Sequence, residues 1–124
     1  MKNSGTLVAV IDDIDSVRDA IKMVLENQQW ETLSYTSGEA FISDLKFHKP
    51  DCVILDPHLP GMTGAEIARS ITSGANPIPI VVLTAYPDSP QTDEIRLMGI
   101  DKVLLKPVSE KVLIEHIQAA ITSV

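Results

Sequence analysis

Short apolar runs rich in β-branched residues alternate along this chain with segments of helical periodicity. The runs lie at residues 7–11, 32–35, 52–55, 78–83 and 102–105. Between them apolar residues recur three and four positions apart, as in the first interval at Val17, Ala20, Ile21, Val24 and Leu25. Five strands that alternate with five helices over short links require a parallel sheet with helices on both faces. The sequence therefore predicts a three-layer α/β/α sandwich around a five-stranded parallel sheet.

Local signals place the starts of the helices. Thr36 and Glu39 form a candidate capping box for the second helix. The third helix is expected to begin near Gly64. The fourth is expected to begin near Ser89, because the proline that follows suits a first helical turn. The fifth is expected to run from about Ser109.

The chain has the size and composition of one globular domain. Its 124 residues are 44% hydrophobic and 22% charged, which suits a single core over residues 1–124. The longest apolar run, Leu7–Ile11, is far shorter than the roughly 20 residues that cross a bilayer, and too short for a secretory signal. Cys52 is the only cysteine, so no internal disulfide forms and a buried, inert thiol is expected. These features predict a cytoplasmic protein.

The charge balance argues against contact with nucleic acid or lipid. Ten Lys and Arg against 17 Asp and Glu give a formal net charge of -7. Such a surface repels phosphate backbones and anionic membranes. We therefore expect no direct binding to nucleic acid and no membrane association.

Polar and charged side chains follow four of the five predicted strands. Asp12 and Asp13 come after the first strand, Asp56 after the third, Thr84 after the fourth and Lys106 after the fifth. In open parallel sheets the ligand site lies at the carboxyl ends of the strands, where the strand order reverses. If the order is 2-1-3-4-5, the first and third strands are neighbours and the three carboxylates converge.

Three converging carboxylates repel one another, and a divalent cation relieves that repulsion. Oxygen ligands favour Mg²⁺, with Mn²⁺ as a substitute, over zinc, which prefers His or Cys. Taken singly, each strand-end residue has an ordinary explanation: an Asp caps a helix, a Thr occupies a turn and a Lys is a solvated charge. The complete set at one edge of the sheet favours a functional site.

Four motifs give the chain a family resemblance over essentially its whole length. They are Val-Ile-Asp-Asp at 10–13, Ile-Leu-Asp-Pro-His-Leu-Pro-Gly-Met-Thr-Gly at 54–64, Leu-Thr-Ala at 83–85 and Lys-Pro at 106–107. In combination they resemble the response-regulator receiver domain of two-component signalling, which implies a flavodoxin-like fold with the strand order 2-1-3-4-5. The spacing between the last two motifs looks most like receivers of transcription factors with a helix-turn-helix output.

The resemblance implies a role for each carboxylate. Asp56 would be the phosphoacceptor, and a magnesium ion would be held by Asp12, Asp13, Asp56 and the backbone carbonyl of His58. The imidazole of His58 is not an expected ligand, and its ring is expected to face solvent.

The resemblance also implies how the phosphoryl group is held. Thr84 would be the switch hydroxyl, the backbone N–H of Ala85 would donate to a phosphoryl oxygen, and Lys106 would supply a compact cation. The Lys106–Pro107 peptide bond is expected to be cis.

By the same resemblance the chain would be a switch that accepts a phosphoryl group from a histidine kinase or a phosphotransfer protein. It would assist its own phosphorylation and dephosphorylation without being a turnover enzyme, and a downstream output domain or protein is implied. The net charge of -7 opposes self-association, and Lys102 replaces an acidic residue that many dimerising receivers use. We expect a monomer before phosphorylation.

Three features depart from the usual receiver pattern. Pro57 follows the phosphoacceptor and removes one backbone donor. His58 and Tyr86 occupy the two variable positions that flank the path of the hydrolytic water, where bulk would slow phosphate loss. Val103 lies three residues before Lys106, where receivers commonly carry a Tyr or Phe that changes rotamer on activation.

Other functions share parts of this pattern. A haloacid-dehalogenase-type phosphatase would need a second Asp at the position of His58, and a flavodoxin-like cofactor carrier would need a Ser/Thr/Gly-rich phosphate loop after the first strand. The serious alternative is a pseudo-receiver, an interaction module that keeps the fold but is not phosphorylated. Pro57 and Val103 keep that alternative open, whereas the complete acidic, Thr and Lys set argues against it.

Overall fold

A computed structural model describes residues 5–122 and contains one five-stranded parallel sheet. The strand order is β2-β1-β3-β4-β5, as the sequence predicted. The strands are β1 (Leu7–Ile11), β2 (Glu31–Tyr35), β3 (Cys52–Leu55), β4 (Ile80–Thr84) and β5 (Val103–Leu105). The predicted fourth strand began two residues too early, because the first residues of that run lie in the loop that leads into β4.

Five helices cover the two faces of the sheet. They are α1 (Asp15–Asn27), α2 (Gly38–Asp44), α3 (Gly64–Thr72), α4 (Pro90–Arg96) and α5 (Glu110–Thr122). No helix within residues 5–122 is long and apolar enough to span a membrane. The three-layer architecture is therefore confirmed.

Side chains of the central strands alternate between two apolar clusters. Val53 and Leu55 of β3 pack in the cluster that includes the buried faces of α2, α3 and α4. Cys52 and Ile54 point the other way, into the cluster that α1 and α5 complete. Because both faces of β3 are buried, the strand is an unbroken apolar run rather than an alternating one. Cys52 is buried, as predicted, and burial raises the pKa of its thiol to about 12.

The cap of α2 differs from the sequence prediction. Ser37, not Thr36, is the N-cap: its backbone is extended and its hydroxyl accepts a hydrogen bond from the N–H of Ala40 at 3.1 Å. Glu39 does not close a capping box. Its Oε2 instead accepts a hydrogen bond from the N–H of Met62 at 3.1 Å, which ties α2 to the loop after β3. The predicted capping box at Thr36 and Glu39 is wrong because this tertiary contact takes the Glu39 side chain.

Candidate functional site

Three carboxylates meet at the carboxyl edge of the sheet. Ile11 and Leu55 are paired in the register of β1 and β3, so the next residues, Asp12 and Asp56, leave the sheet side by side. Oxygen atoms of Asp12, Asp13 and Asp56 all lie within 4.8 Å of one another. Asp12 and Asp56 are only 2% and 6% exposed, whereas Asp13 faces solvent. The predicted convergence of carboxylates is therefore present.

Lys106 lies between two of these carboxylates. Its Nζ is 2.9 Å from Oδ2 of Asp12 and 3.0 Å from Oδ2 of Asp56. Burial alone would lower the pKa of Lys106, but the hydrogen bonds and negative charges of the two aspartates outweigh it and raise that pKa. The Lys106–Pro107 peptide bond is cis, as expected.

Thr84 ends β4 with a fully buried side chain. Its Oγ1 accepts a hydrogen bond from the N–H of Tyr86 at 2.9 Å and lies 3.2 Å from Nδ1 of His58. The N–H of Lys106 donates to the carbonyl of Thr84 at 2.8 Å, so the ends of β4 and β5 are held together. Thr84 and Lys106 are thereby placed next to each other at the ends of adjacent strands.

A cavity of about 320 Å³ opens beside the carboxylates. Its lining consists of Asp13, Ile14, Asp56, His58, Ala85, Tyr86 and Lys106. All of these residues except Ile14 were predicted from the sequence as site or modulating residues. Ile14 is 47% exposed, and the only sequence signal for it was an apolar residue directly after the acidic pair. Asp56, Ala85 and Lys106 therefore border one open space.

The ring of His58 does not face solvent, and the prediction that it would is wrong. Its Nε2 lies 2.7 Å from Oγ of Ser89, and its ring packs edge-to-face on Tyr86 with the ring centroids 5.4 Å apart. The N–H of His58 also donates to Oδ1 of Asp56 at 2.9 Å. Partners on the β4–α4 loop therefore turn the ring inward, and no local pattern around His58 indicates them.

The loop after Asp56 is packed against the first turn of α3. A Cβ atom at Gly64 would lie 2.6 Å from the Cα of Pro57 and 3.1 Å from Cδ1 of Ile95. Glycine is therefore required for this close approach. Thr63 and Glu66 fix the same turn through a capping box, with hydrogen bonds of 3.1 and 2.8 Å.

Val103 lies in β5 opposite Val82 and is partly buried against the apolar cluster that contains Ile95. Sequence analysis did not name a buried residue near the site, Thr92 in the N-terminal turn of α4. Ser89 caps this helix, and the fully buried Thr92 donates from its hydroxyl to the carbonyl of Tyr86 at 3.0 Å. The serine was predicted as a helix start, but nothing in the sequence connected it to His58.

Comparison with known proteins gives consistent matches. The sequence model of the family described as "Response regulator receiver domain" matches residues 8–118. Transcriptional regulatory protein AfsQ1 of Streptomyces coelicolor is 33% identical over 112 residues, which cover 90% of this chain and 49% of that protein. Transcriptional regulatory protein FixJ of Bradyrhizobium diazoefficiens is 28% identical over 92% of this chain and 56% of its own length. The chain thus spans about half the length of the curated relatives it matches.

The fold is also found in solved structures. Chemotaxis protein CheY4 of Vibrio cholerae aligns with a TM-score of 0.84 at 23% identity, covering 94% of this chain and 98% of that one. At this identity the likeness concerns the fold alone.

Proposed function

The chain belongs to the response regulator receiver family, and from that membership we propose that its Asp56 accepts a phosphoryl group and that residues 1–124 act as one phosphorylation-activated switch. The observation that best supports this proposal is the position of Asp56. This carboxylate lies within 3.0 Å of the Lys106 ammonium group and opens into the cavity beside Ala85. A nucleophile next to a fixed cation and an open cavity is the arrangement that phosphoryl transfer needs.

The transfer itself is a simple exchange of bonds. A carboxylate oxygen of Asp56 forms a bond to the phosphorus of a phosphohistidine, and the bond from phosphorus to the imidazole nitrogen breaks. The electron pair of that bond stays on the imidazole of the donor. Asp56 becomes an acyl phosphate, so each domain takes up one phosphoryl group per cycle rather than turning over a substrate.

The residues present fit a magnesium ion, with manganese as a substitute. The carboxylates of Asp12, Asp13 and Asp56 lie together and offer only oxygen atoms. By the family resemblance the backbone carbonyl of His58 would add a further oxygen. When bound, the cation offsets negative charge on the carboxylates and on the phosphoryl oxygens. Magnesium or manganese dependence is therefore part of the proposal.

The remaining groups hold the transferred phosphoryl group. Lys106 offers its ammonium group to one phosphoryl oxygen, the hydroxyl of Thr84 donates to a second, and the N–H of Ala85 donates alongside it. Lys106 already lies beside Asp56 before the reaction, so its ammonium group needs little reorganisation.

The proposed donor is a histidine kinase or a phosphotransfer protein, and the proposed location is the cytoplasm. AfsQ1 and FixJ are described as transcriptional regulatory proteins, and this chain matches about half of each. A downstream output domain or protein is therefore part of the proposal. We propose a monomer before phosphorylation, and a dimer in light scattering at micromolar concentration that persists in high salt would contradict this.

Phosphorylation by acetyl phosphate tests the proposal directly. Intact-protein mass spectrometry of the parent should show one added phosphoryl group with magnesium or manganese and none with excess chelator. Asp56→Asn should remain unlabelled. Asp88→Asn is the matched control, because Asp88 is an exposed aspartate of the β4–α4 loop, and it should be labelled like the parent.

Two results would contradict the assignment. Labelling of Asp56→Asn to the level of the parent would place the phosphoryl group elsewhere. A folded parent that stays unlabelled by small donors and by kinases would favour the pseudo-receiver alternative.

A further inference from the structure

A chain of hydrogen bonds runs from the site to the first turn of α4. Its links are Thr84 Oγ1 to His58 Nδ1 at 3.2 Å, His58 Nε2 to Ser89 Oγ at 2.7 Å, Ser89 Oγ to Thr92 Oγ1 at 3.1 Å and Thr92 Oγ1 to the carbonyl of Tyr86 at 3.0 Å. His58 is the only member from the loop after β3. Its ring therefore joins the phosphoacceptor loop to the N-terminus of α4.

The two ends of this chain of hydrogen bonds are buried, so their hydroxyl groups need hydrogen-bond partners. Thr84 and Thr92 are both 0% exposed. A buried hydroxyl hydrogen without an acceptor costs free energy, and buried polar groups are therefore almost always paired. This requirement decides which way each hydroxyl hydrogen points.

One tautomer of the His58 ring satisfies every hydroxyl. Thr84 Oγ1 already accepts from the N–H of Tyr86, so its own hydrogen needs an acceptor, and Nδ1 of His58 provides it when that nitrogen carries no hydrogen. Nε2–H then donates to Ser89, Ser89 donates to Thr92, and Thr92 donates to the carbonyl of Tyr86.

The opposite tautomer would leave the Thr84 hydrogen without an acceptor within residues 5–122. Nε2 would then also lack a hydrogen for Ser89 Oγ at 2.7 Å, because the Ser89 hydroxyl already donates to Thr92. The distance of 3.5 Å from Nδ1 to Oδ1 of Asp56 is too long for a good hydrogen bond. The geometry therefore assigns the ring hydrogen to Nε2.

This arrangement conflicts with the phosphorylated state. A hydroxyl group has one hydrogen to donate. If Thr84 donates to a phosphoryl oxygen on Asp56, as the proposed function requires, it releases Nδ1 of His58. The first link of the chain then opens.

We propose that His58 is a positioning residue that competes with the phosphoryl group for the Thr84 hydroxyl hydrogen and passes the outcome to the N-terminus of α4. This inference rests on the proposed function. Without phosphorylation, the chain of hydrogen bonds holds Ser89 and the first turn of α4 in their present arrangement. With phosphorylation, Nδ1 loses the Thr84 hydroxyl as its donor and the half-buried ring rotates toward another donor. Ser89 then loses the Nε2–H donor.

Tyr86 supports this coupling from the side. Its ring packs on His58 at an interplanar angle of 81°, and its carbonyl accepts the last hydrogen bond of the chain. A movement of the His58 ring therefore changes contacts at both ends of the β4–α4 loop. Val103 offers no polar or aromatic group for a parallel route through β5.

The tautomer can be read directly from the ring nitrogens. Long-range proton–nitrogen NMR spectra should show a hydrogen on Nε2 of His58 and none on Nδ1. His58→Gln identifies the signal among the three histidines. Adding beryllofluoride with Mg²⁺, a mimic of the aspartyl phosphate, should shift Nδ1 strongly, because that nitrogen loses the Thr84 donor. A resting ring with its hydrogen on Nδ1, or ring signals unmoved by beryllofluoride, would overturn the proposal.

Two substitutions separate the hydrogen bonds of His58 from its bulk. His58→Leu removes both, and without its competitor the Thr84 hydroxyl should bind beryllofluoride about two- to tenfold more tightly. The accompanying amide shift changes at residues 89–97 should shrink to less than half of those in the parent. His58→Gln keeps an acceptor and a donor, and it should restore both parental values. Equal behaviour of the Leu and Gln variants would overturn the proposal.

A second pair of variants tests the far end of the chain. Thr92→Val keeps the shape of the buried side chain but breaks two links, whereas Thr92→Ser keeps them. Of these two variants, only Thr92→Val should bind beryllofluoride without the amide shift changes at residues 89–97. If beryllofluoride shifts the Thr84 signals of the parent but leaves those of α4 unchanged, this inference is wrong and the proposed function still holds. A parent that is neither phosphorylated nor bound by beryllofluoride would sink the proposed function with it.

Discussion

Asp56 and Lys106 are fifty residues apart in the sequence, yet Nζ of Lys106 donates to Oδ2 of Asp56 at 3.0 Å. The same ammonium group contacts Asp12, so one cation partly neutralises two buried carboxylates. Sites that gather like charges are held together by the rest of the fold rather than by their own contacts. The free energy of unfolding should therefore respond strongly to charge at this edge of the sheet.

Removing the lysine should expose this dependence. Lys106→Met is expected to lower the free energy of unfolding by about 1–3 kcal/mol in chelator, because hydrogen bonds to charged groups are lost and two carboxylates stay close. Saturating Mg²⁺ should reduce the difference in unfolding free energy between Lys106→Met and the parent, because the ion supplies positive charge to the carboxylates. Urea unfolding with and without the metal measures both values. Lys111→Met, on the exposed start of α5, is the control and should be nearly neutral in both buffers.

Adding a methyl group at Gly64 should test the close approach of α3 to the loop that follows Asp56. Gly64→Ala places a Cβ 2.6 Å from the Cα of Pro57, and backbone at this position has little room to move. We expect a loss of about 1–3 kcal/mol of stability. Gly74→Ala is the matched control, since nothing lies within 4 Å of its added Cβ, and it should be neutral or slightly stabilising. Equal effects of the two substitutions would contradict the packing argument.

Activation should be concentrated in the loop after β4. Moving a two-state equilibrium from 1:99 to 99:1 takes about 5.5 kcal/mol, and one hydroxyl donating to a charged oxygen supplies only about 1.5–3 kcal/mol. Because Val103 lacks a ring, we expect beryllofluoride to shift amide signals mainly in residues 84–99 and only modestly in 103–118. Tyr86→Ala should shrink these changes. Large shifts through β5 and α5 that survive Tyr86→Ala would show that Val103 relays the signal without a ring.

Alkaline stability should depend on Tyr35. Burial, assisted by the hydrogen bond and charge of Asp44, raises the pKa of Tyr35 well above its ordinary value of 10.0. The folded state holds the phenolic proton more tightly than the unfolded chain, so this contribution is intact below about pH 10 and falls as pH rises further. Tyr35→Phe should therefore lose less stability between neutral and alkaline pH than the parent does. Urea unfolding at neutral and at alkaline pH measures this loss of stability in the parent, in Tyr35→Phe and in the control Tyr86→Phe. If Tyr35→Phe loses as much stability as the parent, the prediction is wrong.

The sequence determined the layers and the residues that meet at the candidate site, and the family resemblance supplied the strand order. Strands buried on both faces must be apolar throughout, and helices with one buried face must repeat every three to four residues. Both patterns are local, so they can be read without the fold. The residues that follow each strand are also local, and a parallel sheet brings Asp12, Asp56, Thr84 and Lys106 to one edge.

Only the tertiary structure decided which partner each of those side chains takes. The direction of the His58 ring depends on Thr84 and Ser89, which lie 26 and 31 residues away, and the Glu39 carboxylate leaves its own helix for Met62, 23 residues along. Such contacts depend on how loops from different strands pack together, and no periodicity encodes that packing. The sequence by itself therefore specified a receiver site, whereas the route from that site into α4 was decided by a ring and two hydroxyl groups that meet only in the folded protein.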